Sequence, residues 1–258
     1  MKVVLFCGGL GTRLREHSDT IPKPLVNIGY RPILWHLMRY YAHFGHNEFI
    51  LCLGYRGDLI REYFLNFNEC MSNDFVLTQG GAKVELLSRD LDDWTITFVD
   101  TGLHSNIAGR LTRVRRYLED DEVFLANYAD ALTDLPLDQH VEAFLDQELV
   151  ASFVAVPTSQ SFHGVYADEE GIVTSFGSMQ EANFWINGGF FCFRREVFDF
   201  IQEGEELVEK PFQRLIQRRK LGVFRYRGFW QQMDTFKEKI AYDRMEGRGE
   251  CPWMVWKG

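Results

Sequence analysis

The chain has 258 residues, of which 46% are hydrophobic and 25% charged, so it is long enough for one large domain with a buried core. This composition excludes the disordered and collagen-like classes of protein, and no apolar run approaches the roughly 20 residues that a membrane-spanning helix needs. The net charge of −9 disfavours nucleic acid as a partner, because an acidic surface repels a polyphosphate backbone. The five cysteines form no C-x-x-C pair, and no leader segment precedes the first strand pattern, so we expect a soluble protein in a reducing cytoplasm without structural zinc.

The first third of the chain alternates strand and helix patterns. Residues 2–7 are a β-branched, apolar run stopped by two glycines, which is typical of a strand buried on both faces. Apolar positions at three- and four-residue steps predict helices over 32–44 and 59–67, on either side of a strand at 48–53. This alternation predicts an α/β fold of Rossmann-like type, a mixed and mainly parallel twisted sheet flanked by helices.

The remaining elements are predicted from the same periodicities. In chain order we expect strands at 83–87 and 94–100, a helix over 109–118, a strand at 123–128, a helix over 137–147, a strand at 150–156, a hairpin through 166–176, a strand at 190–193 and a helix over 196–201. No repeat, low-complexity tract or linker divides the chain. We therefore predict a core over residues 1–220 and a small C-terminal extension, residues 221–258, that belongs to the same globule.

Three glycines, Gly8, Gly9 and Gly11, follow the first predicted strand directly and lead into Thr12 and Arg13. A turn without side chains lets backbone N–H groups surround phosphate oxygens, and an arginine adds a planar, permanent positive charge. A tight strand-to-helix turn explains the glycines equally well. Their spacing is neither that of the dinucleotide-binding fingerprint nor that of the P-loop, which disfavours a nicotinamide-dependent oxidoreductase.

Lys23 lies between Pro22 and Pro24, nine residues beyond the glycine-rich motif. The two prolines restrict the local backbone, so the ammonium group is held in a fixed direction. A lone lysine in a turn is usually just a solvated surface residue. The combination with the glycine-rich motif is much less expected by chance.

These two motifs resemble the signature of the sugar-phosphate nucleotidyltransferases, the nucleoside-diphosphate-sugar pyrophosphorylases. The resemblance is closest to the glucose-1-phosphate cytidylyltransferase branch and covers nearly the whole chain. It includes the motifs at 33–36, 54–57, 62–64, 99–102, 109–111, 186–191 and 228–235.

The resemblance implies transfer of a nucleotidyl group, CMP from CTP in this branch, to a sugar 1-phosphate or a related phosphorylated or phosphonylated acceptor, with release of pyrophosphate. Catalysis of such a step consists mostly of positioning the reactants and neutralising phosphate charge. The resemblance also implies Mg²⁺ as the cofactor and a homo-oligomeric enzyme.

Residue roles are carried over position by position. The resemblance assigns catalysis to Arg13 and Lys23. It assigns nucleotide binding to Gly8, Gly9, Gly11, Thr12, Arg13, Lys23, Gly109 and Arg110, and substrate binding to Gly164, Asn187, Gly188 and Gly189. Asp130 and Asp234 are the implied Mg²⁺ ligands, with Asp234 contributed by the C-terminal extension, although either aspartate alone is also explained as a strand-end or turn residue.

The chain departs from the family pattern beside the metal ligand and on the acceptor side. Ala129 and Ala131 flank Asp130 where the family has glycines, which adds methyl groups near the metal or the base. Ser178 and Met179 stand where the family has glutamate and lysine, so a hydroxyl-binding carboxylate and a phosphate-binding cation are missing. Loss of one such charge-assisted contact typically costs about 2–5 kcal/mol when its partner is desolvated.

Three explanations of the acceptor-side change remain. We favour a different acceptor, held by Arg110, His163 or Lys210. Alternatively, glucose 1-phosphate is retained and Glu181 with a neighbouring cation replaces the missing pair. The third explanation is a catalytically inactive, nucleotide-sugar-binding regulatory subunit, against which the retention of the implied triphosphate and metal residues argues.

Overall fold

A seven-stranded sheet forms the centre of the protein in a computed structural model that describes residues 1–9, 21–89, 93–158, 163–178 and 184–257. The strands of the described residues are β1 (Val3–Phe6), β2 (Asn27–Ile28), β3 (Arg31–Pro32), β4 (Glu48–Leu53), β5 (Phe75–Thr78), β6 (Lys83–Leu86), β7 (Thr95–Asp100), β8 (Val123–Asn127), β9 (Ala131–Thr133), β10 (Ala151–Pro157), β11 (His163–Ala167), β12 (Val173–Ser178), β13 (Trp185–Arg194), β14 (Leu221–Arg225) and β15 (Trp230–Gln232). The α-helices are α1 (Ile33–His43), α2 (Gly57–Leu65), α3 (Ile107–Val114), α4 (Leu137–Leu145), α5 (Lys210–Gln217) and α6 (Phe236–Gly247).

The central sheet has the strand order β14-β10-β13-β8-β1-β4-β7. Every neighbouring pair is parallel except the two that involve β13, which runs antiparallel to β8 and to β10. The predicted mixed, mainly parallel sheet is thereby confirmed.

Alternate residues of β1 enter two hydrophobic layers, one on each face of the sheet. Val3 and Leu5 belong to the layer that contains the buried residues of α1 and α4, whereas Val4 and Phe6 belong to the layer of α3 and α5. All four side chains of β1 are at most 4% exposed. Burial on both faces explains why this strand reads as a continuous apolar run instead of an alternating one.

The direction of the strands determines which loops lie together at one edge of the sheet. The parallel strands β1, β4, β7 and β8 all end at the same edge of the sheet, and antiparallel β13 begins there. Open α/β sheets bind ligands at this carboxyl edge, because the loops that follow the strands form a crevice there.

Three predicted elements differ in kind from the observed ones. The predicted helix over 109–118 begins earlier, at Ile107, because the Asn106 side chain caps it, and its last four residues form the 3-10 turn Arg115–Leu118. The predicted helix over 196–201 is the 3-10 helix Arg195–Phe200. The predicted strand at 83–87 pairs only with β5, so it forms a separate hairpin outside the central sheet. The other predicted elements are present, with β13 longer than predicted and shifts at the remaining ends.

The C-terminal segment shares the core of the preceding residues. β14 extends the central sheet beside β10, and β15 pairs with β9. Tyr242 and Trp253 are fully buried in the layer that contains α1. The boundary near residue 220 therefore passes between strands that belong to one sheet.

Across the described ranges, none of the helices is long and apolar enough to cross a membrane. All five cysteines are free thiols, and Cys7, Cys52 and Cys192 are buried. Burial raises the pKa of the Cys52 thiol to about 12, so this group stays protonated at neutral pH.

Candidate active site

A short antiparallel ladder brings the two predicted metal ligands together. β9 pairs with β15 so that Ala131 lies opposite Gln232, and the Met233 N–H donates to the Asp130 carbonyl at 2.8 Å. Asp130 precedes β9 and Asp234 follows β15, so the register places both aspartates at one end of the ladder. The two aspartates are 104 positions apart in the sequence, yet both contact the Nζ of Lys23.

Lys23 lies between these two carboxylates. Its Nζ donates to Asp130 Oδ2 at 2.8 Å and also to Asp234 Oδ1. The lysine is the first residue of the 3-10 turn Lys23–Leu25. Pro22, which precedes this turn, has an extended backbone. Burial alone would lower the pKa of Lys23, but the two aspartates outweigh this effect and raise the pKa above its ordinary value. The ammonium group therefore stays protonated while it is largely shielded from water.

The start of α6 fixes Asp234. Thr235 and Glu238 form a capping box, and the Glu238 carboxylate also accepts from the Asp234 N–H at 2.6 Å. The Gln232 amide donates to Asp234 Oδ2 at 2.7 Å and to Asp130 Oδ2 at 3.3 Å. Gln232 lies within a motif noted in the sequence but carries no predicted role; only the β9–β15 register reveals that it shares the carboxylates with Lys23.

Asp130 follows a turn with an unusual backbone. Ala129 has φ of 61°, in the left-handed region that favours glycine, and its N–H donates to Asn127 Oδ1 at 2.7 Å. The Ala129 methyl group is buried and lines the same cavity as Asp130. The alanine that replaces a family glycine is therefore accommodated by the turn, with its methyl group in the cavity wall.

The beginning of the glycine-rich motif is held by a buried arginine. Arg110 is 3% exposed, and its guanidinium donates to the Gly8 carbonyl at 2.9 Å and to the Thr101 hydroxyl at 2.8 Å. It also donates to the carbonyls of Leu53 and Leu103. A Cβ added to Gly8 would lie 1.9 Å from Arg110 Nη1, so any larger residue there would have to displace the guanidinium. Arg110 thus joins the ends of β1, β4 and β7.

A cavity of about 470 Å³ opens at the carboxyl edge of the sheet, between these groups. Its lining includes Gly9, Lys23, Asn106, Arg110, Tyr128, Asp130, Glu206, Gln232 and Asp234. The volume lies within the range usual for small-molecule sites. The cavity is therefore large enough for a substrate-sized ligand.

The remaining predicted binding residues lie around this cavity without lining it. Gly109 is in the first turn of α3, where its N–H donates to Asn106 Oδ1 at 2.8 Å. The Asn187 amide contacts the Tyr128 hydroxyl at 3.4 Å, and Gly189, with φ of 77°, approaches the Tyr128 ring so closely that a Cβ would lie 2.7 Å from it. Gly188 accepts from the Trp230 indole through its carbonyl.

Other predicted residues are separate from the cavity or outside the described ranges. Gly164 lies in β11, paired with Gly177, and Lys210 is the exposed first residue of α5. His163 is the first residue of β11. Gly11, Thr12, Arg13, Met179 and Glu181 lie outside the described residues.

Asp130 and Asp234 are the residues of this site that could hold a divalent cation. Their oxygens converge on one point, which the cationic Nζ of Lys23 takes, and carboxylate oxygen is the ligand that Mg²⁺ prefers. Among the described residues no group of three or more His, Cys, Asp or Glu side chains could hold a metal ion. Two carboxylates suit Mg²⁺, which takes few protein ligands and completes its shell with water and substrate phosphates.

The model of one family, described as nucleotidyl transferase, matches residues 2–238. The chain belongs to this nucleotidyl transferase family.

Relatives with similar sequences carry more specific names. The chain is 37% identical, over 99% of its own length and 100% of the relative's, to a probable glucose-1-phosphate cytidylyltransferase of Bacillus subtilis. It is 38% identical, over the full length of both chains, to the glucose-1-phosphate cytidylyltransferase of Salmonella typhi. The resemblance to this branch is thereby confirmed.

Solved structures share the fold at low sequence identity. A UDP-glucose pyrophosphorylase complexed with UDP-glucose superposes with a TM-score of 0.70 at 14% identity, over 96% of this chain and 98% of that one. HddC from Yersinia pseudotuberculosis gives a TM-score of 0.67 at 19% identity, over 95% and 99% of the two chains.

Proposed function

We propose that the protein transfers CMP from CTP to a sugar 1-phosphate or a related phosphorylated or phosphonylated acceptor, depends on Mg²⁺ and releases pyrophosphate. The names of the full-length relatives support CTP and a sugar phosphate as substrates. The observation that carries the proposal is the convergence of Lys23, Asp130 and Asp234 in the wall of the cavity.

The charges of this cluster match the demands of the reaction. An acceptor phosphate oxygen is already ionised, so it can attack the α-phosphorus of the triphosphate without a general base. The positive charge of Lys23 stabilises negative charge on the phosphates, because the group is held in place before the reaction. Mg²⁺ bound by Asp130 and Asp234 would add further neutralisation of the triphosphate. Arg110 holds the Gly8 carbonyl at the start of the glycine-rich motif.

The acceptor is the open part of the proposal. Two relatives are named for glucose 1-phosphate, whereas Ser178 and Met179 stand where the family resemblance implies an acid and a cation on the acceptor side. An acceptor panel must therefore contain glucose 1-phosphate, other sugar 1-phosphates and small phosphonates.

The test measures pyrophosphate release with Mg²⁺, each common nucleoside triphosphate and this acceptor panel. We expect turnover with CTP and at least one acceptor, and its loss when Mg²⁺ is chelated. Asp130→Asn should retain the wild-type fold and lose at least about 100-fold in kcat, since positioned charge of this kind contributes several kcal/mol. Binding of CTP without pyrophosphate release across the panel would contradict transfer and support a regulatory, nucleotide-binding subunit.

A further inference from the structure

Glu206 is a carboxylate in the wall of the cavity, beside the beginning of α3. It lies in the loop before α5 and lines the cavity with Asn106, Ile107 and Val208. We call these four residues the helix-start wall, because Asn106 caps α3 and Ile107 is its first residue. Sequence reasoning assigned no role to Glu206, since a glutamate in a charged loop gives no signal of its own.

The structure holds Glu206 in place. The Asn106 amide donates to the Glu205 carbonyl at 2.8 Å, which ties the loop to the start of α3. Glu206 Oε1 accepts from the Leu207 N–H at 2.8 Å, and Oε2 lies 3.4 Å from the Ile107 N–H. A carboxylate offers about four lone-pair positions, so two remain available to a ligand.

Electrostatics indicates which part of a nucleotide can lie against this wall. A carboxylate repels phosphate, so the triphosphate belongs at the positive charge of Lys23 and not at Glu206. The uncharged nucleoside is then the part that extends toward the helix-start wall. Ile107 and Val208 also line the cavity and add apolar surface to this wall, which suits an uncharged base.

Hydrogen-bond chemistry indicates which base fits. A carboxylate is only an acceptor at neutral pH, and cytosine presents a donating amino group at position 4. Uracil presents a carbonyl oxygen at the same position, which would face the carboxylate as a second acceptor. A site built to accept from a ligand N–H rejects the analogue that lacks it.

We infer that Glu206 reads the nucleobase by accepting a hydrogen bond from the 4-amino group of cytosine, and so selects CTP over UTP. This role rests on the proposed function and adds a specificity-determining residue to it. Glu206 takes no part in the transfer of the nucleotidyl group.

The decisive variant is Glu206→Gln, which keeps the shape of the side chain but replaces one acceptor oxygen by a donor. We expect kcat/KM for CTP to fall about tenfold or more, as for loss of a charge-assisted hydrogen bond, while kcat/KM for UTP rises. The matched control is Glu203→Gln, an exposed residue of the same loop that does not line the cavity, and it should leave both values unchanged.

A ligand change tests the same contact without altering the protein. The CTP analogue with hydrogen in place of the 4-amino group should be a poor substrate for the wild type, and Glu206→Gln should no longer distinguish it from CTP. Equal loss for CTP and UTP in Glu206→Gln would overturn the assignment. So would a loss seen with CTP but not with 2′-deoxy-CTP, which would place the carboxylate on the ribose.

Binding separates this inference from the proposed function. Calorimetric titration of CTP and of UTP measures selectivity even when no acceptor reacts. A wild type that binds CTP at least tenfold more tightly than UTP, with that preference lost in Glu206→Gln, supports base reading whether or not pyrophosphate is released. Equal binding of both triphosphates by the wild type contradicts it.

Discussion

At the scale of single residues, Gly8 and Arg110 form one unit. The arginine brings a permanent charge into the interior, where its N–H groups are satisfied by backbone carbonyls and the Thr101 hydroxyl. This arrangement requires the absence of a side chain at Gly8. The sequence suggests Gly8 for phosphate contact. The structure shows that Gly8 also leaves the space that the Arg110 side chain, 102 positions away, occupies.

We predict that Gly8→Ala lowers the free energy of unfolding by about 3 kcal/mol, because the new methyl group displaces Arg110 from several hydrogen bonds to a charged group. Denaturant titration measures the change. Gly9→Ala is the matched control, since a Cβ there meets no atom of the described residues within 4 Å and Gly9 is exposed, so we expect a change within about 0.5 kcal/mol. If both variants lose a similar free energy of unfolding, a clash with Arg110 does not explain the loss in Gly8→Ala.

The sequence singles out three residues of the site but not the groups that hold it together. Lys23, Asp130 and Asp234 were assigned through the family resemblance, and they meet in the structure. Glu206 and the anchoring contacts of Arg110 could not be predicted, because they depend on loops that approach one another only in the folded chain.

At the scale of elements, α6 positions part of the site through its first turn. Its capping box joins Thr235 to Glu238, and the same glutamate holds the backbone of Asp234. The helix therefore couples local stability to the placement of an implied metal ligand.

We predict that Thr235→Ala lowers the free energy of unfolding by about 1 kcal/mol, the usual cost of removing an N-cap hydroxyl. Because the start of α6 then frays, kcat should also fall several-fold in the pyrophosphate assay. Thr235→Ser keeps the capping oxygen and should restore both quantities. A Thr235→Ala protein with wild-type stability would show that the capping box contributes nothing in this context.

Periodicity predicted most elements but not the details that depend on tertiary contacts. The helix at 109–118 was placed too late because its cap, Asn106, also bonds to a loop about 100 residues further on. Of the hairpin formed by β5 and β6, the sequence predicts β6 but not β5. Several apolar residues of this hairpin, such as Leu77 and Val84, are exposed instead of facing the core. Apolar runs indicate burial only when a second layer covers them.

At the scale of the whole molecule, neutral histidines in the core make stability depend on pH. Burial lowers the pKa of His36 and of His140 to about 4. Trp253 donates to His36 Nδ1 at 3.3 Å, and His36 Nε2 lies 3.0 Å from the Ile28 carbonyl, which fits a neutral ring protonated at Nε2. His140 Nε2 lies 3.1 Å from the Ser152 hydroxyl.

The unfolded chain binds protons at these histidines near pH 6.5, whereas the folded chain resists protonation down to about pH 4. Their contribution to stability is therefore complete above pH 6.5 and is lost as the pH falls toward 4, at up to about 1.4 kcal/mol per pH unit for each histidine. We predict that His140→Gln reduces the slope of unfolding free energy against pH by about that amount in this interval. Urea titrations at several pH values measure the slope, and an unchanged slope would show that His140 does not titrate differently in the two states.

The fold class follows from the strand and helix alternation, and the sheet confirms it. The reversal of β13 and the ladder between β9 and β15 do not follow from any local pattern, because direction and pairing are decided by connections between distant segments. These two features place Asp234 and Asn187 at the carboxyl edge.

The ladder of β9 and β15 has a consequence for the chain as it is synthesised. A ribosome adds roughly 5–20 residues per second, so Asp234 emerges about 5 to 20 s after Asp130. When Asp130 has been added, the strands β1, β4, β7 and β8 have all been synthesised, but Asp234, the second carboxylate partner of Lys23, has not. A nascent chain can thus complete these four strands well before it possesses both aspartates that contact Lys23.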